Sequence, residues 1–121
     1  MSGFAFPPAR PGDAFRFRVS DVVEVPLRGY LLRLRLLEGS PRVSELGPGR
    51  YLRLRAPDGE ERVVRVRDYA VVGGKATQAR LERTRELDVV ISREDALAGG
   101  RPIRSGWVVV GTARSAGERA A

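Results

Sequence analysis

Arginine at alternate positions is the chemistry-bearing pattern of this chain. Phe15-Arg16-Phe17-Arg18-Val19, Leu32-Arg33-Leu34-Arg35-Leu36, Leu52-Arg53-Leu54-Arg55 and Val64-Arg65-Val66-Arg67 each interleave apolar residues with guanidinium groups. A guanidinium is a planar, permanently charged fork that fits a phosphate or a carboxylate. Phosphate contact is therefore the chemistry these residue types can perform. Arg28, in the break Arg28-Gly29, joins them. The candidate nucleic-acid contacts are Arg28, Arg33, Arg35, Arg53, Arg55, Arg65 and Arg67. No acid lies between residues 28 and 36. The plain alternative is a solvated sheet face, partly neutralised by acids such as Glu24, Glu38, Glu60 and Glu61. Tyr30, Tyr51 and Tyr69 are the candidate exposed aromatics of an interface.

The overall charge agrees with an anionic partner. The 121 residues carry 22 basic and 15 acidic side chains, a net charge of +7. Lys75 is the single lysine. So strong a preference for arginine suits phosphate forks, and it equally suits a GC-rich coding bias.

Other chemistries are poorly supplied. The chain has no histidine, which removes the commonest general base and metal ligand. It has no cysteine, which removes disulfides, zinc thiolates and thiol catalysis. Glu60-Glu61 falls in a turn, and Glu94-Asp95 falls at a helix start, where acids suit the dipole. Neither has a placed catalytic partner. No metal or cofactor is expected, and neither is enzymatic activity.

The elements that must position the arginines read as strands. Strict alternation sends successive side chains to opposite sheet faces. Each run then has an apolar face for a core and a cationic face for solvent, with Phe15, Phe17 and Trp107 turned inward. Leu87–Ile91 and Trp107–Val110 add β-branched strands. Pro57-Asp58-Gly59-Glu60 predicts a hairpin between Tyr51–Ala56 and Glu61–Arg67. Ser92-Arg93-Glu94-Asp95 predicts one capped helical turn. Residues 76–86 read as a loop or short irregular strand, because Leu81 has no apolar neighbour at helical spacing before Leu87. The alternative there is a short helix.

The expected organisation is a flexible proline-rich arm over residues 1–13, one domain over 14–112 and a disordered tail over 113–121. The fold class is all-β: a small closed Greek-key barrel of six or seven antiparallel strands with at most one short helical turn. No apolar run approaches a membrane span, and Met1–Pro8 lacks the features of a signal peptide. A cytoplasmic location is the expectation.

The order of motifs resembles domain 2 of the translational GTPases, the β-barrel of elongation factor Tu and its relatives. Phe17-Arg18-Val19-Ser20-Asp21-Val22-Val23 is similar to the family's opening strand, followed by Arg28-Gly29 at its turn. Leu31 to Leu37 and Glu38-Gly39-Ser40 follow as the second strand and its turn. Val43, Leu46 and Gly49 precede the third. Asp88-Val89-Val90-Ile91, Asp95, Gly99 or Gly100, and Gly106-Trp107-Val108-Val109 resemble the last part. The likeness spans about residues 15–111. Leu27 stands where the family has glycine, and Leu32-Arg33-Leu34-Arg35 replaces a glycine-bearing strand. The resemblance implies a barrel that touches tRNA or ribosomal RNA. No G-x-x-x-x-G-K-[ST] motif occurs, and Gly73-Gly74-Lys75-Ala76-Thr77 lacks its spacing, so GTP hydrolysis is not expected.

The resulting expectation is a non-catalytic module that contacts tRNA, rRNA or a ribosome-associated protein through an arginine-rich face. The alternative is a protein-interaction or regulatory module of the adaptor or antitoxin kind, with no nucleic-acid role.

Overall fold

A computed structural model of the chain describes residues 9–69 and 77–112. The alternating runs become strands β1 (Asp13–Val25), β2 (Gly29–Glu38), β3 (Tyr51–Arg55), β4 (Glu61–Tyr69), β5 (Glu86–Ile91) and β6 (Val108–Thr112). Two short helices, α1 (Gln78–Thr84) and α2 (Arg93–Leu97), flank β5, and Val43–Leu46 forms a 3-10 turn.

The strands close into a barrel in the order β1-β2-β5-β4-β3-β6, every pairing antiparallel. β3, β4 and β5 are successive neighbours, and β6 returns beside β3, which is a Greek key. Closure leaves no long open edge for another chain to pair with.

The apolar half of each alternation fills the barrel. Phe17, Val19, Leu32, Leu34, Leu54, Val66, Val89, Ile91 and Val109 are fully buried in one cluster. Each such side chain contributes about 1.5–3 kcal/mol relative to exposure. The β1–β2 turn needs Gly29: its φ is +123°, and a Cβ there would run into the Ile91 carbonyl.

Several expectations are corrected. Residues 78–84 are helical, not extended, so the barrel carries two short helices rather than at most one turn. The helix is held at its ends. Thr77 Oγ1 accepts from the Arg80 N–H at 3.1 Å, and Arg85 closes the helix at φ +60°, its N–H donating to Leu81 at 2.7 Å. Leu81 alone is buried, so apolar periodicity carried no signal. Trp107 is buried as expected but precedes β6, and Phe15 is half-buried against the core. Asp13 already belongs to β1, and Arg10 is bonded to Glu61, so the folded part begins before residue 14. Residues 1–8 of the expected arm, the Gly73-Gly74-Lys75 segment and the expected tail 113–121 lie outside the described residues.

Candidate nucleic-acid interface

Strand registers set the arginines in rows on the outside of the barrel. Across β1, β6, β3 and β4 one row reads Arg16, Val110, Arg53, Val63, and the next reads Arg18, Val108, Arg55, Glu61. Val108 and Val110 point outward yet are buried. Arginine stems on both sides shield such apolar surface while the charged heads reach for water or acids. Part of the arginine pattern is thus a cover for β6.

Two arginines of these rows correct the expectation of a solvent-facing charge. Arg16 and Arg55 are buried. Arg55 donates to both Asp13 oxygens, at 3.1 and 3.3 Å, and to Glu61 at 3.2 Å. Burial opposes the Arg55 charge, but hydrogen bonds and attraction from Asp13 and Glu61 outweigh it and raise its pKa. Burial likewise pushes Asp13 up, while bonds from Arg55 and the Arg10 N–H bring it below the usual carboxylate value. Arg55 is therefore a structural strut, unavailable to a phosphate.

Arg33 and Arg35 are exposed on β2 but face acids on β5. Arg33 makes a two-pronged bond to Asp88, both arms 3.1 Å, and Arg35 reaches Glu86 at 3.5 Å. The Asp88 hydrogen bonds raise the Arg33 pKa. Arg28 lies 3.4 Å from Asp68, with both side chains more than half exposed. Asp13, Asp68, Glu86 and Asp88 are neutralising residues that sequence reasoning missed. The alternation Leu87-Asp88-Val89 carried the signal, since it turns Asp88 outward. Of the acids named beforehand, Glu38 and Glu61 do neutralise the alternating arginines, as cross-strand partners of Arg16 and Arg55, whereas Glu24 goes to Arg93 and Glu60 to Arg101.

What remains is the outer face of β3 and β4. Arg53, Arg65 and Arg67 are exposed there, with no carboxylate in ion-pair range among the described residues. Tyr51 stands directly opposite Arg65, and Arg53 opposite Val63. Tyr51 is 66% exposed and Val63 55%. Leu52, Leu54, Val64 and Val66 point the other way, into the core, and lock this square of outward side chains in place. At Arg65 the backbone N–H is taken by Asp95 of α2 at 3.0 Å, which steadies β4.

The other two tyrosines are not free platforms. Tyr69 is half-buried and donates its hydroxyl to the Val43 carbonyl at 3.0 Å. Burial raises its pKa. Tyr30 is half-buried against the core and lines a groove of about 320 Å³. That groove lies between the β1–β2 turn and the start of α2, and Arg28, Arg67 and Arg93 border it. Above it, Leu27 is fully exposed at φ +67°. Both Arg62, at 5.1 Å, and Arg101, at 5.3 Å, lie over the Trp107 ring. Arg101 is held in turn by Asp58, at 2.9 Å, and by Glu60.

Among the described residues no cluster of three or more metal-ligating side chains occurs. No helix among them is long and apolar enough to cross a membrane. No protein-family model and no curated protein matches the chain.

Proposed function

We propose that this barrel is a non-catalytic module that contacts RNA or a ribonucleoprotein through the outer face of β3 and β4. The observation that carries this reading is the set Arg53, Arg65 and Arg67, three exposed guanidinium groups without acidic partners among the described residues. Unpaired, rigidly mounted cations keep their full attraction for phosphates, whereas Arg33 and Arg35 spend theirs on β5. The net charge of +7 adds long-range attraction. The motif order similar to domain 2 of elongation factor Tu agrees with a partner such as tRNA, rRNA or a ribosome-associated protein, and with a cytoplasmic setting. The lack of histidine, cysteine and a P-loop supports a binding role without catalysis.

The test is fluorescence anisotropy with labelled tRNA and rRNA fragments across a salt series. With about three phosphates engaged, log affinity falls against log salt with a slope of about −2. Substituting Arg53, Arg65 and Arg67 together by Gln removes most of the affinity and leaves the fold intact. Absence of binding at about 50 mM salt, where surface charges still act over more than 10 Å, overturns the proposal.

A second reading rests on a different observation. Leu27 is fully exposed at φ +67°, a conformation disfavoured for leucine, and Val23 nearby is 45% exposed. A protein-interaction or regulatory module would use that hairpin tip as an apolar anchor. A single dominant protein partner, lost on Leu27→Asp and indifferent to salt, would favour it over RNA.

A further inference from the structure

Resting on the RNA reading of the β3–β4 face, we infer that the ligand is single-stranded RNA, with one base stacked on Tyr51 between flanking phosphate contacts. The Tyr51 hydroxyl has no hydrogen-bond partner among the described residues, and two-thirds of the residue is open to solvent. Its surroundings are ordered around it. Arg65 is its direct cross-strand partner, which puts the two Cβ atoms about 4.5–5.5 Å apart. Arg53 is two residues along β3 and Arg67 two beyond Arg65 on β4, each a step of about 7 Å on the same face. A flat apolar ring thus stands among three cations, with Val63 diagonal to it as a second apolar contact.

This arrangement discriminates between forms of RNA. A duplex hides its base faces inside the stack and offers phosphates, riboses and groove edges. It would engage the arginines and leave the Tyr51 ring uncovered. An extended strand offers base faces and phosphates in alternation. One base can cover Tyr51 while the phosphates on either side of it meet Arg65 and Arg53 or Arg67, so both kinds of group are used together. The face is small and spans only a few nucleotides. Sequence preference is weak, because every base presents a ring face.

The experiment uses the full chain and two fluorescein-labelled probes. One is an unstructured RNA of about 12 nucleotides, within the range one small barrel spans. The other is the same strand annealed to its complement. The single strand binds about tenfold more tightly than the duplex, equivalent to one stacked base. Tyr51→Ala weakens single-strand binding about tenfold and leaves duplex binding unchanged, while Tyr51→Phe stays within about twofold of the parent. Circular dichroism confirms that each variant is folded. Equal binding of the two probes, or a single-strand affinity untouched by Tyr51→Ala, overturns the single-strand inference while the RNA reading stands. No binding of either probe at about 50 mM salt overturns the RNA reading and this inference with it.

Discussion

Asp13 and Arg55 face each other across 42 residues of chain, 3.1 Å apart, with each side chain only 4% exposed. Asp13 opens β1 and Arg55 ends β3, and β6 runs between these two strands. The pair therefore ties together two strands that do not pair with each other. A buried charge left without its partner is expensive, so Asp13→Ala costs about 3 kcal/mol, the low end for such pairs because Glu61 still contacts Arg55. Adding Arg55→Met keeps the stem beside Val108, removes the stranded charge and restores most of the loss. Urea denaturation of the two variants checks this. A double variant no more stable than Asp13→Ala would show that the ion pair itself, not the orphaned charge, sets the cost.

The same pair predicts an acid dependence. The folded Asp13 carboxyl titrates below its ordinary value near 4. Its contribution is complete above that ordinary value and is lost as pH falls through the lower folded one. Urea midpoints measured between about pH 5 and pH 2 should therefore fall with acid in the parent. Asp13→Asn flattens part of that limb, and an unchanged slope would remove Asp13 from the account.

The barrel was legible because burial followed a period of two: Leu32, Leu34, Leu36, Leu52, Leu54, Val64 and Val66 all lie in the core as alternation requires. The candidate site was legible only as a set of outward arginines. Which of them stay free depends on strands far apart in sequence. Asp88 meets Arg33 because β5 inserts between β2 and β4, and Asp13 of β1 meets Arg55 of β3 although β6 lies between their strands. Local pattern carries no such information. α1 was missed for another reason: its stability comes from the Thr77 cap, and from Gln78, whose side chain bonds to the backbone of Pro41 and Val43. Neither is a periodic apolar signal. Tyr51 and Tyr69 were indistinguishable by type, and only the 3-10 turn that receives the Tyr69 hydroxyl separates them.

Leu27→Gly is expected to stabilise the protein. The left-handed backbone at this position costs a leucine about 1–2 kcal/mol, and the fully exposed side chain returns no packing. Greater freedom of glycine in the unfolded chain offsets part of the gain, leaving about 0.5–1 kcal/mol. A higher urea midpoint at unchanged slope is the expected result. A lower one would mean the leucine is held by contacts at the turn.

Trp107 is the single tryptophan and is buried, with two guanidinium groups over its ring. Its emission should be blue-shifted in the native protein, poorly quenched by acrylamide, and red-shifted on unfolding in one step with the loss of β structure. Trp107→Ala removes the ring from the core cluster and costs about 3–5 kcal/mol. Native emission as red as free indole would place the ring in water and refute its assigned position.

Removing two arginines should have different consequences on the two faces, although the change in net charge is the same. Arg33→Gln with Arg35→Gln deletes guanidinium groups already bonded to Asp88 and Glu86, so few phosphate contacts are lost. The two acids left behind repel RNA weakly through water, giving a loss of about threefold or less. Arg53→Gln with Arg65→Gln deletes cations that have no acid to satisfy them among the described residues and that flank Tyr51. That loss should be about tenfold or more, with the salt slope reduced by about 1.4. Anisotropy titrations of both variants against one labelled single-stranded RNA decide the matter. Equal losses would show that total charge draws RNA to the whole barrel, with no preference for the face formed by β3 and β4.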